Sequence, residues 1–223
     1  MSHSRYYSNI NKDLLNAIPK RLSRILEIGC GEGALGAEYK KANPNCVYCG
    51  VEIEPEPAAQ AESSLDQVVC ANISHLDLAE FGNKPFDCII YGDVLEHLIS
   101  PWDELKARVE WLGPKGVVLA SIPNVQHWSI LVKLLMGEWE YEDKGILDRT
   151  HLRFFTKSSL RALFQAAGLK VTRLKAVRKQ TEWSDRVLES MMPTIRALKV
   201  DETQFLEQAN AYQYLVKAFK AKE

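Results

Sequence analysis

Apolar residues along this chain fall into two rhythms. Short, nearly continuous runs read as strands buried on both faces: "RILEIG" (24–29), "CVYCGVEI" (46–53), "QVVCANI" (67–73), "FDCIIYGD" (86–93) and "GVVLASIP" (116–123). Between them, "ALGAEYKKA", "EPAAQAESSL" and "WDELKARVEWL" (102–112) predict helices, the last closed by Gly113 and Pro114. "NKDLLNAI", stopped by Pro19, predicts one more helix ahead of the first strand. Buried strands alternating with helices mean a parallel sheet covered on both faces.

The rhythm changes after residue 123. Residues 124–156 form a long connection with its own apolar helix, "WSILVKLLMGEW". "SSLRALFQAAG" then predicts a helix with Thr156 as N-cap and Gly168 just past its end. "LKVTRLKAV" (169–177) and "AYQYLVKAFK" (211–220) alternate as strands, separated by a partly helical excursion over 182–208. Two late strands without a compact crossover predict an antiparallel pair at the sheet edge. The expected fold is α/β: a Rossmann-like, doubly wound, seven-stranded sheet, mostly parallel with one antiparallel edge strand. The whole span 1–223 is expected to form a single domain with insertions at about 124–156 and 182–208.

Composition narrows the partners. With 223 residues, 46% hydrophobic content and a net charge of −1, neither nucleic acid nor an anionic membrane surface is expected as partner. No apolar run approaches the roughly 18 residues of a membrane span. The N-terminal stretch lacks the apolar centre of a signal peptide, so a cytoplasmic location is expected. Five cysteines, an odd number, argue against a disulfide framework. Cys46 and Cys49, three apart on a strand, point to opposite faces and are expected to be structural.

The chemistry starts at "RILEIGCGEGALG" (24–36), which fits two templates. Gly31, Gly33 and Gly36 spell GxGxxG, and Gly29 and Gly31 with Ala34 its GxGxxA variant. Gly29, Gly31 and Gly33 also make a tighter GxGxG behind the acid Glu27. The loop follows the first strand, where a doubly wound sheet binds its ligand, and Glu52 ends the second strand where a carboxylate accepts ribose hydroxyls. A dinucleotide brings a pyrophosphate suited to the helix N-terminus. S-adenosylmethionine brings a sulfonium cation instead, and Glu27, Glu32 and Asp93 around the loop favour that cation.

"LEIGCGEGALG", "YCGVEIEP", "VCANI" and "FDCIIYGDVLEHL", in this order and spacing, resemble the successive motifs of class I S-adenosylmethionine-dependent methyltransferases, over residues 22 to 177. The resemblance is to bacterial small-molecule members, of the kind linked to surface-glycan or natural-product pathways. It implies that Glu27, Gly29, Gly31 and Gly33 cradle the methionyl end and that Glu52 binds the ribose. Ile53 flanks the adenine, and Asn72 and Ile73 stand where the adenine amino group is met. Asn72 replaces the usual acid there, and its amide carbonyl can accept the same hydrogen bond. Asp93 faces the sulfonium.

Methyl transfer to a hydroxyl needs alignment, exclusion of water and removal of a proton, for which histidine is the commonest base near neutral pH. His151, in "ILDRTHLRFFT", and His127, in "SIPNVQHW", are the candidate bases, with Arg149 and Arg153 as possible clamps for an anionic acceptor. Each has a plainer reading as a cap or structural ion pair. "DVLEHL" also resembles the acid-x-x-Glu-His cluster that some small-RNA and ubiquinone-pathway methyltransferases use for a divalent metal. The same letters occur in many metal-free members, and catalysis is expected to need no metal at Glu96 and His97. The favoured activity is methyl transfer to a small-molecule acceptor, chiefly through oxygen, with the insertions covering the acceptor. The alternatives are an NAD(P)-dependent oxidoreductase and a non-catalytic adenosine-ligand module.

Overall fold

The computed structural model describes residues 10–178 and 181–220. His3 lies outside them. Strands β1 (Arg24–Ile28), β2 (Val47–Glu52), β3 (Gln67–Cys70), β4 (Phe86–Gly92), β5 (Leu112–Pro123), β6 (Leu169–Arg178) and β7 (Ala211–Lys220) form one sheet in the order β3-β2-β1-β4-β5-β7-β6. All neighbours among β1–β5 pair in parallel, and β7 runs antiparallel to both β5 and β6. The late pair sits at the edge as its pattern predicts, with the reversed strand one place in from it.

The continuous apolar runs follow from burial on both faces. Along β4, Cys88 and Ile90 point into one apolar layer while Ile89 and Tyr91 point into the other. The first layer is closed by α1 (Lys12–Ala17), α2 (Ala34–Ala42) and α3 (Pro55–Ala61), through Leu14, Leu35, Tyr39 and Ala61. The second is closed by α4 (Pro101–Val109) and α6 (Lys157–Ala166), through Leu105, Val109, Leu160, Leu163 and Phe164. Cys46 and Cys49 fall into opposite layers, and all five cysteines are free.

Two boundaries differ from the sequence pattern. β5 starts at Leu112, opposite Phe86, and an irregularity in the ladder absorbs Gly113 and Pro114 inside the strand. β3 stops at Cys70, because Asn72 caps a 3₁₀ turn over Ile73–His75, its Oδ1 accepting from Ser74 N at 3.0 Å.

The insertions leave from the edge that carries the glycine loop. The first follows the end of β5 and contains α5 (Trp128–Leu135); the second joins the end of β6 to the start of β7 through α7 (Glu182–Ala197) and α8 (Glu202–Ala209). Leu188, Met192, Phe205 and Ala209 make a separate small core with Trp128 and Leu131 packed on it. Asn124, fully buried, ties this cluster to the sheet: its Nδ2 donates to Gln208 O at 2.8 Å and Ala211 O at 2.7 Å. Among the described residues no helix is long and apolar enough to cross a membrane.

Candidate active site

Past β1 the backbone turns through Gly29, Gly31 and Gly33, with φ of 72°, 53° and 78°. A left-handed run of this kind strains any residue with a Cβ. Gly29 N and Cys30 N both donate to Val51 O, at 2.8 and 3.1 Å, and a Cβ on Gly29 would lie 2.5 Å from Val94 Cγ2. Gly36 does something else. It is helical, and its bare Cα lets α2 rest on β2, where a Cβ would come within 2.6 Å of the Tyr48 ring. The tight GxGxG therefore shapes the loop, and the last glycine of GxGxxG serves packing.

Glu52 braces that loop. Its Oε2 accepts from Gly31 N at 2.8 Å, and its Oε1 from Ile53 N at 2.8 Å and Glu54 N at 3.1 Å. A carboxylate has about four acceptor sites, so capacity for a ribose hydroxyl is left. Ile53 stands 59% exposed beside it, an apolar face open to a flat ring. Asn72 is exposed but its carbonyl already caps the 3₁₀ turn, and Ile73 is buried in the core rather than presented at the surface. Ile73 is thereby turned away from the rim formed by residues 70–72.

Three acids surround the loop. Glu27, buried on β1, accepts from Tyr48 Oη at 3.0 Å, and burial, with Glu52 nearby, lifts its pKa to about 8. Asp93 follows β4 in a left-handed conformation (φ 56°). Its N–H is held by Ser121 O and Oγ, both at 3.1 Å, and its Oδ1 accepts from Gln213 Nε2 of β7. Burial lifts Asp93 to about 6. No lysine or arginine bonds to Glu27, Glu52 or Asp93 among the described residues. A positively charged ligand beside the loop would favour the ionised forms of Glu27 and Asp93, which burial otherwise disfavours.

The two candidate bases separate. His127 is the N-cap of α5, its Nδ1 facing Ser129 Oγ at 2.8 Å, and its ring lies edge-on to Tyr212. His151 joins the "LEH" segment after β4 instead, a single 3₁₀ turn over Leu95–His97. Its ring stacks edge-to-face on His97 with centroids 4.7 Å apart, and its Nε2 lies 4.0 Å from Glu96 Oε1. Glu96 is 1% exposed and neither carboxylate oxygen has a hydrogen-bond partner. Burial, then the charge of Asp93, pushes its carboxyl well above the usual range.

One donor atom from each of Glu96, His97 and His151 lies within 4.8 Å of the others. Orphaned carboxylate oxygens facing two imidazoles fit a divalent cation, which needs such donors to replace its water. The local "DVLEHL" letters supply Glu96 and His97, and the fold brings His151 to them. The structure also moves the arginines away from an acceptor role. Arg149 pairs with Asp143 at the surface, and Arg153 donates to the Leu152 and Ile99 carbonyls. Gln213, Ser121 and Thr150 went unnoticed in the sequence because only the folded sheet brings them to Asp93 and His97.

The sheet order settles the two glycine templates. A dinucleotide-binding sheet runs 3-2-1-4-5-6, all parallel, whereas here a reversed β7 is inserted between β5 and β6. A family model described as a methyltransferase domain matches residues 3–174. A ubiquinone biosynthesis O-methyltransferase of Cereibacter sphaeroides is 30% identical over 182 residues, 79% of this chain and 72% of that protein. The enzyme of the same description from Aeromonas salmonicida is 28% identical over 160 residues, 69% of this chain and 66% of that one. Among solved structures, a SAM-dependent methyltransferase from Archaeoglobus fulgidus superposes with a TM-score of 0.68 at 18% identity, covering 98% of this chain and 95% of its own. The plantazolicin methyltransferase BpumL, solved with SAH, gives 0.60 at 15% identity, covering 98% and 84%.

Proposed function

The chain belongs to the class I S-adenosylmethionine-dependent methyltransferases, and on that premise we propose that it methylates a hydroxyl of a small molecule held against Glu96, His97 and His151. It is thus an enzyme with S-adenosylmethionine as cofactor, and the oxidoreductase and non-catalytic alternatives fall away. The observation that carries the acceptor reading is the convergence of those three side chains beside Asp93, at the strand edge where the glycine loop lies. The O-methyltransferase names of the relatives agree with an oxygen acceptor.

In this reading Glu52 takes the ribose, Ile53 covers the adenine, and Glu27 and the loop amides receive the methionyl end. Asp93, pinned by Ser121 and Gln213, stands opposite the sulfonium. The S–CH₃ bond breaks with its electron pair going to sulfur, while the acceptor oxygen forms the new O–C bond and releases its proton to solvent water. Glu96, His97 and His151 would hold a divalent cation, and a cation bound there would supply Lewis-acid chemistry that makes such a hydroxyl more acidic. His127 is left to cap α5 over the site. The insertions 124–156 and 182–208 form the cover, with Trp139 edge-on to Phe154 and Phe154 beside His151, an apolar approach for an aromatic acceptor. The enzyme is read as cytoplasmic, consistent with five free thiols.

The test is a screen of purified protein with isotopically labelled methyl donor against catechols, other phenols and hydroxylated glycans, with product analysis of the methylated atom. Label on a hydroxyl oxygen of one acceptor class is expected. Transfer only to nitrogen or carbon would overturn the reading.

A further inference from the structure

Both histidines of the cluster have one ring nitrogen committed elsewhere. His151 Nδ1 lies 3.0 Å from Ile146 O, an atom that only accepts, so Nδ1 carries the hydrogen and Nε2 a lone pair. His97 is fixed less directly. Asp148 Oδ1 receives Thr150 N at 2.8 Å and Thr150 Oγ1 at 2.6 Å. A threonine hydroxyl has a single hydrogen, and here the carboxylate takes it. The 3.0 Å contact between Thr150 Oγ1 and His97 Nδ1 is then completed only by a hydrogen on the ring nitrogen, which also faces Thr150 O at 3.3 Å.

We infer that Thr150 and Asp148 are positioning residues: their hydrogen-bond chain fixes His97 as the Nδ1–H tautomer, and so sets the strength with which the Glu96–His97–His151 cluster holds a divalent cation. The inference rests on the cation reading above and adds residues that touch no ligand. With Nδ1 occupied, the Nε2 lone pair of His97 is the one left to meet a cation alongside His151 Nε2 and a Glu96 oxygen. Losing the Thr150 hydroxyl leaves Nδ1 only the longer contact with Thr150 O at 3.3 Å, and so loosens the ring and its tautomer. Losing the Asp148 charge weakens the acceptor that holds the Thr150 hydrogen, so that hydrogen competes for Nδ1 and favours the other tautomer. Outer-shell partners of this kind are typically worth about 10–100-fold in metal affinity.

The experiment measures Mn²⁺ alone binding to the full chain, by the electron paramagnetic resonance signal of free Mn²⁺ and by calorimetry. The chains compared are wild type, Thr150→Val, Thr150→Ser, Asp148→Asn and Glu96→Gln, each checked for an unchanged melting profile. Thr150→Val and Asp148→Asn are expected to bind about 10–100-fold more weakly, and Thr150→Ser to restore near wild-type affinity. Long-range ¹H–¹⁵N spectra of metal-free protein are expected to show the His97 Nδ1–H pattern in wild type and Thr150→Ser and to lose it in Thr150→Val. Wild-type affinity in Thr150→Val and Asp148→Asn, with binding abolished in Glu96→Gln, overturns the positioning role and leaves the cation site standing. No binding by wild type overturns the cation site and the positioning role together.

Discussion

The two halves of the sheet build their parts of the site in opposite ways. Around β1–β3 the contacts are made by backbone. Val51 O receives two loop amides, and Glu52 receives three backbone N–H groups from Gly31, Ile53 and Glu54. Around β4–β7 the contacts join side chains or reach far along the chain. Asp93 meets Gln213, 120 positions away, His97 meets Thr150, 53 away, and Asn124 holds Ala211, 87 away. A backbone-built site needs only glycines and one carboxylate to specify it. A side-chain-built site depends on every partner arriving, so single substitutions there act on chemistry first.

That contrast breaks most sharply at the two candidate bases. His151→Ala is expected to lower turnover by about 10²–10⁴-fold with methyl-donor affinity near wild type, the loss usual for a group acting on the proton in flight or on its Lewis acid. A chelator should suppress wild-type turnover, and Mg²⁺ or Mn²⁺ should restore it. His127→Ala removes an N-cap, so it should reduce stability by about 0.5–2 kcal/mol and leave turnover at saturating acceptor close to wild type. Steady-state kinetics of both variants, with thermal melts, decide the matter. If His127→Ala loses the chemistry and His151→Ala keeps it, the assignment is reversed.

On the backbone-built side the effect is on binding. Glu52→Ala removes the acceptor for three N–H groups and for the ribose, and should weaken S-adenosylmethionine by about 1–3 kcal/mol, roughly 5-fold to 150-fold. The turnover of donor-saturated enzyme should change far less. Calorimetry with the demethylated product gives the same answer without a reaction, and an unchanged dissociation constant would remove Glu52 from the cofactor site.

What could be read from the sequence follows the same division. The strands, the helices and the glycine loop are local patterns, and Glu52 sits where the second strand must end, so each is specified within a few residues. Asn72 and Ile73 were placed by analogy with a longer third strand. The Asn72 side chain competes with the strand for backbone hydrogen bonds, ends β3 at Cys70 and turns Ile73 into the core. Gln213 could not be tied to Asp93 without knowing that β7 lies against β5 with Gln213 opposite Pro123. His151 stands out in the sequence, but its partners do not. Its neighbours in sequence suggested a free base, whereas its neighbours in space are Glu96 and His97.

The smallest expected effect lies beneath the glycine loop and separates the two ways of building a site within one residue. Glu27 keeps its proton to about pH 8, against an ordinary value of 4.5, because burial outweighs the Tyr48 hydrogen bond and Glu52 adds repulsion. Between those values the folded chain binds more protons at Glu27 than the unfolded chain does. The stability that this group contributes is therefore complete below about pH 4.5 and is lost as pH rises through about 8. In melts without ligand, wild type should lose stability relative to Glu27→Gln across that interval, each kcal/mol moving the midpoint of a chain this size by roughly 2–4 °C. Glutamine still accepts from Tyr48 Oη but cannot ionise, so its own slope should be flatter. Saturating S-adenosylmethionine places positive charge near the loop, which favours the ionised carboxylate and should flatten the wild-type slope as well. Parallel pH profiles for the two proteins without ligand would show that Glu27 is ionised in the folded chain. A slope that ligand leaves untouched would place the methionyl cation away from Glu27.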